Sequence, residues 1–227
     1  MATRALDTRS STAPRGRAAP RATDMRARRY DPAETKARVL AAAHMLFSRQ
    51  GFANTGTADI ARAADVSEGS IFYHFGSKKA LLAELGRRHG EAMIEAMEEG
   101  YTLADLEPGI TVPRVLRFVR DNMIWEGMEA DCNECGPKSK MAQTPDAEPF
   151  YHAAKEVTTA WIKRHLEAAL AKRGITGVEI DLAASFTHHV VGDAIDRWLC
   201  AATQEEADRI ERETIRYVRA GSGYPLD

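Results

Sequence analysis

The sequence predicts an all-α fold, on three observations. No stretch of strand length alternates apolar and polar residues, while Ala, Leu, Glu and Arg recur at helical spacing throughout. Several periodic stretches also open on an Asp, Thr or Ser able to cap a helix. With 227 residues and 44% hydrophobic content there is ample material for a buried core. The expected organisation is a basic tail at 1–29, a three-helix head at 30–80 and a larger helical body at 81–227.

Residues 1–29 are rich in Ala, Arg, Ser, Thr and Pro and lack apolar periodicity, so they are expected to be disordered. Such a tail is either an arm that lies on DNA, with Arg26, Arg28 and Arg29 nearest the fold, or simply solvated. Pro14 and Pro20 and the lack of an apolar face argue against a transit peptide. The first helix takes Asp31 as cap, Pro32 in its first position and Glu34 three residues after the cap. Its buried stripe is the aliphatic stem of Lys36, then Val39, Leu40, Ala43, Leu46 and Phe47, and Gly51 ends it.

Thr57 is placed to cap a short helix over 58–64 whose apolar face is Ile60, Ala61 and Ala64. Asp65 and Val66 make the turn, and Ser67 caps a second short helix. Two helices of about two turns joined this tightly form a helix-turn-helix unit, whose second member enters the major groove of DNA. Gly69 removes bulk from that helix's first turn. Ile71 and Phe75 are expected to pack on Phe47 and Ile60, whereas Tyr73 and His74 face outward, because so short a helix has one buried face. Phe72 fits either side.

Ser77 caps a further helix carrying Ala80, Leu81, Leu85, Met93, Ile94 and Met97, which runs to about residue 99 despite Gly86 and Gly90. Helical patterns then occupy 111–130, 146–173, 179–202 and 204–220, with an irregular loop at 131–145 containing Gly136, Pro137 and Pro145. Phe150, Ala154, Val157, Trp161, Ile162, His165, Leu166 and Ala169 make one continuous face. The 179–202 helix is apolar nearly all round, so it needs covering on several sides, more than a monomer of this size readily supplies.

The net charge of −2 conceals a gradient. Residues 1–29 carry eight Arg against two Asp, residues 30–80 six bases against five acids, and the remainder 17 against 26. A polyanion is therefore drawn to the front of the molecule and repelled from the back. Three cysteines do not make a disulfide framework, and no apolar run approaches the roughly 18 residues of a membrane span. With no apolar leader, the expected location is the cytoplasm.

The stretch 35–82 resembles the DNA-binding domain of the TetR family of bacterial transcriptional regulators. The likeness rests on the Ala-Ala-x-x-Leu-Phe pattern at 42–47, Gly51-Phe52 with Thr55, Ile60-Ala61, Val66-Ser67, Gly69-Ser70-Ile71, Tyr73-His74-Phe75 and Ser77-Lys78 followed by Leu81. The resemblance implies that Thr57 and Lys78 hold phosphates, that Ser67, Gly69 and Ser70 begin the recognition helix, and that Tyr73 and His74 contact bases or backbone. Three positions depart from the commonest pattern. Glu68 stands where a DNA-contacting residue such as Lys is frequent, and it can accept from cytosine N4. Phe72 replaces a Tyr and offers a thymine methyl contact instead, and Asp65 replaces a turn glycine.

The resemblance further implies an all-α regulator, most often a repressor, that binds a pseudo-palindromic operator in double-stranded DNA as a homodimer. A small-molecule effector in the C-terminal part changes the separation of the two heads. The 179–202 and 204–220 helices are the natural dimer interface, the latter through Ala207, Ile210, Thr214 and Val218. Phe118, Trp125, Met128, Trp161, Phe186 and His189 are candidate walls for an apolar or aromatic effector, with ordinary core packing the alternative for each. His188 and His189 with Asp193 offer polar groups.

Cys132 and Cys135, in a CxxC pattern, raise a different sensor chemistry, metal or redox. No cofactor is expected. Nor is an enzyme, because no nucleophile, base and orienting group stand at interpretable spacing and no phosphate loop is present. A DNA-compacting protein remains as a rival; it would discriminate little between sequences.

Overall fold

Eight helices and no strand occur among the residues that the computed structural model describes, 31–122 and 147–224. α1 (Pro32–Gln50) has proline in its first position and buries Thr35, Val39, Leu40, Ala42, Ala43 and Phe47. Lys36 is exposed rather than laid along this side. Thr35 continues the row of Val39 and Ala42, which puts the Lys36 ammonium one step round the helix, where it stays in water. Gly51, at φ +82°, returns its N–H to the Phe47 carbonyl at 3.0 Å and closes the helix.

α2 (Thr57–Ala63) and α3 (Glu68–Phe75) are the two short helices. Thr57 does not cap α2. Gly56 holds the capping position and Thr57 is the first helical residue, so its side chain is not set to receive the helix's own N–H groups. Its hydroxyl donates to the Glu68 carboxylate instead. Asp65 adopts φ +52°, the left-handed conformation the turn requires, and the Val66 N–H reaches the Ala61 carbonyl at 3.0 Å. Ser67 caps α3, accepting from the Ser70 N–H at 3.2 Å, as its position predicts.

α4 (Lys78–Glu98) opens on Ser77, whose hydroxyl accepts from the Ala80 N–H at 3.0 Å. Its Leu81 and Leu82 complete a core with Val39, Phe47, Ile60 and Ile71, to which α6 (Glu148–Arg173) adds Phe150. α4 therefore runs straight through the boundary placed at residue 80. Gly86 and Gly90, read in sequence as weak points, face α6. A Cβ on Gly86 would stand 2.1 Å from the Phe150 carbonyl oxygen, and one on Gly90 3.2 Å from that of Ala154. The two helices thus meet backbone to backbone.

α5 (Pro108–Asp121) starts earlier than the periodicity predicts, because Pro108 suits the first turn and Glu107 precedes it as cap. Arg114 ties α5 to the end of α4, donating to the Met97 carbonyl at 2.9 Å and the Glu99 carbonyl at 2.8 Å. α7 (Ile180–Leu199) and α8 (Gln204–Gly221) follow, the latter capped by Thr203, which accepts from the Glu206 N–H at 3.2 Å. A second core gathers Met97, Leu106, Val115 and Trp161, and a third Leu166, Leu170, Ala184 and Tyr224. None of the described helices is long and apolar enough to cross a membrane.

Candidate nucleic-acid interface

α3 sorts its residues by face. Ile71 is fully buried and Phe75 packs partly against the head's core, as the one-face argument predicts. Ser67, Glu68, Gly69, Phe72 and Tyr73 lie on the open side, while Ser70 and His74 are half-buried at its edges. Tyr73 is 80% exposed and Phe72 48%, values that no packing requirement explains. At Gly69 a Cβ would meet only the Ser67 hydroxyl, at 3.8 Å, so the first turn of α3 offers clear approach. The Ser67 and Ser70 hydroxyls lie 2.8 Å apart.

Two positions implicated as phosphate contacts have protein partners here. The Thr57 hydroxyl is taken by Glu68, a bond that joins the starts of α2 and α3 and engages the one carboxylate of the α3 face. Lys78 turns inward. Its Nζ donates to the Phe52 carbonyl at 2.9 Å and the Thr55 carbonyl at 3.0 Å, and stands 4.1 Å from the centre of the Phe52 ring. This ammonium thereby pins the α1–α2 connection to α4. Sequence reasoning missed that clamp, and missed Arg38, whose guanidinium reaches the Asp65 carbonyl at 3.4 Å and its carboxylate at 3.9 Å.

The six candidate effector residues are not brought together. Trp161 is a core residue: it is 2% exposed, stacks on His165 at 5.4 Å between centres and donates its indole N–H to Glu98 at 2.7 Å. Phe186 is 63% exposed on α7, and His189 is exposed with its Nε2 3.3 Å from the Lys155 ammonium. Helical spacing cannot tell which side of α7 faces its neighbours. Trp125 and Met128, like Cys132, Cys135, the 1–29 tail and the whole 131–145 loop, lie outside the described residues. Only Phe118 borders a sizeable cleft, of about 530 Å³, between α1, α4 and α5. Its ring meets His89 at 5.5 Å between centres.

Four histidines are held below the ordinary imidazole value. Burial lowers His44 and His165, burial and then the charge of His44 lower His89, and burial, then His189 and Lys155, bring His188 to about 4. His188 keeps its Nδ1 3.2 Å from the Thr158 hydroxyl.

Residues 39–85, from mid-α1 to mid-α4, match the profile of the bacterial regulatory proteins of the tetR family. Over that stretch the chain is similar to the tetR family. Its relatives are transcriptional regulators, not enzymes. The HTH-type transcriptional regulator AcrR of Shigella flexneri is 42% identical over 52 residues, 23% of this chain and 24% of its own. ArpR of Pseudomonas putida is 38% identical over 105 residues, 44% of this chain and 48% of its own. The chain thus matches a quarter to a half of the length of these curated relatives. The likeness of fold extends further than that of sequence: GusR of Salmonella enterica superposes with a TM-score of 0.59 at 17% identity, covering 86% of this chain and 98% of that one.

Proposed function

We propose that this regulator is a homodimeric, ligand-responsive repressor that binds a pseudo-palindromic DNA operator through α3 and is released by a small apolar or aromatic effector. The observation that carries the reading is the outward display of Tyr73 and Phe72 on a capped helix of eight residues, seated on the head's core by the buried Ile71. The open first turn at Gly69 supports it, as does the position of these residues within the family match. Ser67 and Ser70 present hydroxyls to a phosphate or base edge, and Tyr73 and His74 supply base or backbone contacts. Thr57 and Glu68 act as a unit, the hydroxyl becoming free for phosphate when the carboxylate turns to a base. Lys78 serves mainly by holding the head rigid.

Dimerisation is supported by α7 and α8, which leave Leu182 55%, Phe186 63% and Tyr217 65% exposed in a single chain. A second copy covering that surface gives a two-fold pair of heads for half-sites roughly 34–36 Å apart. The protein is expected to work in the cytoplasm. Footprinting on the DNA flanking its own gene tests the proposal: a protected two-fold site is expected, and uniform coverage of any fragment contradicts it.

A further inference from the structure

An open cleft lies between α1, α4 and α5. Its volume of about 530 Å³ falls in the range of ligand pockets, roughly 300–1,000 Å³. Met45, Leu85, Ala92 and Phe118 supply apolar wall, and the His89 ring stands between Phe118 and Phe150, 5.5 and 5.7 Å from their centres. Two guanidiniums border it. Arg49 makes no ion pair among the described residues, while the Nε of Arg88 is braced by Glu84 at 3.1 Å. Among the described residues no carboxylate lines the cleft, and burial keeps His44 and His89 toward their neutral forms.

From this arrangement we infer that the cleft binds an aromatic carboxylate, its ring against Phe118 and His89 and its charge on Arg49 and Arg88. The inference rests on the regulator reading for its biological use, and it narrows the apolar or aromatic effector of that reading to an aromatic acid. A planar guanidinium selects a carboxylate by paired, charge-assisted hydrogen bonds, and the apolar walls reward a ring over acetate. The location also supplies the coupling. α4 cannot retreat from an occupant, because Gly86 already brings it into backbone contact with α6 at Phe150. The yielding wall is α1, which shares its core with α2 and α3, so that filling the cleft re-aims the recognition helix.

Calorimetric titration of the full chain with 2-naphthoate, with neutral 2-naphthamide as comparison, tests the site directly. Saturable binding of one naphthoate per chain is expected, with the amide at least about tenfold weaker. Arg49→Gln and Arg88→Gln should each weaken naphthoate by about tenfold, and Phe118→Ala should weaken acid and amide alike. Arg49 is exposed and makes no ion pair among the described residues, so its variant keeps the folding contacts seen there. Equal binding of acid and amide, wild-type affinity in both arginine variants, or no saturable heat at millimolar ligand would overturn the inference. Operator binding is measured separately on the same preparation: naphthoate binding without DNA binding refutes the repressor reading alone, and the converse refutes the cleft alone.

Discussion

At the scale of single residues, side chains on and beside α3 divide into a group that holds the head together and a group, Phe72 and Tyr73, that looks outward without structural reason. Tyr73 is of the latter, so Tyr73→Ala should weaken operator binding by about tenfold or more with no loss of thermal stability, checked by gel shift and by melting. Lys78 is of the former. Its removal strands two carbonyls, of Phe52 and Thr55, and Lys78→Ala is expected to cost about 1–2 kcal/mol in denaturant titration. His188 has a pH signature. Its folded value of about 4 lies below the ordinary 6.5, so the unfolded chain takes up the proton first. The stability is therefore complete above pH 6.5 and declines as the pH falls towards 4, and His188→Gln should lose less between pH 7 and pH 5 than the wild type does.

At the scale of elements, helix positions were legible in the sequence because apolar spacing and caps are local signals. Ser67, Ser77 and the Asp65 turn behave as their residue types demand. What sequence could not reveal is set by tertiary placement. Lys36 lies off the buried stripe because Thr35 lies on it, and Thr57 bonds a carboxylate eleven residues away instead of its own helix. The inward turn of Lys78 and the burial of Trp161 are equally invisible to spacing, since the same residue types at the same intervals serve surface and core alike. Gly86 and Gly90 carry the clearest lesson: a pattern that reads as helix weakness is a contact surface. Gly86→Ala should gain about 1 kcal/mol of helix propensity yet lower the melting temperature, because a methyl group meets the Phe150 carbonyl oxygen and α4 and α6 must separate. A melting temperature raised by this substitution would show that the two helices do not touch as described.

At the scale of the whole molecule, charge and shape point the same way. Bases concentrate toward the N-terminal end of the sequence and acids toward the remainder, so a polyanion is drawn to the first and repelled from the second. The apolar exposure of α7 and α8 is not covered by the described residues of one chain, and Phe186→Glu is expected to shift the proposed dimer to a monomer in sedimentation, while leaving the helical content intact. Loss of the dimer should in turn remove cooperative occupation of both half-sites. Everything in the account depends on α3 entering a duplex in a sequence-dependent way. The measurement that tests this most directly is the affinity of the full chain for the DNA flanking its own gene, relative to scrambled DNA of equal length at physiological salt, for wild type and Tyr73→Ala. The account predicts a preference of about a thousandfold for the flanking DNA, much reduced in the variant; equal affinity for both DNAs, or a preference that Tyr73→Ala leaves untouched, would contradict it.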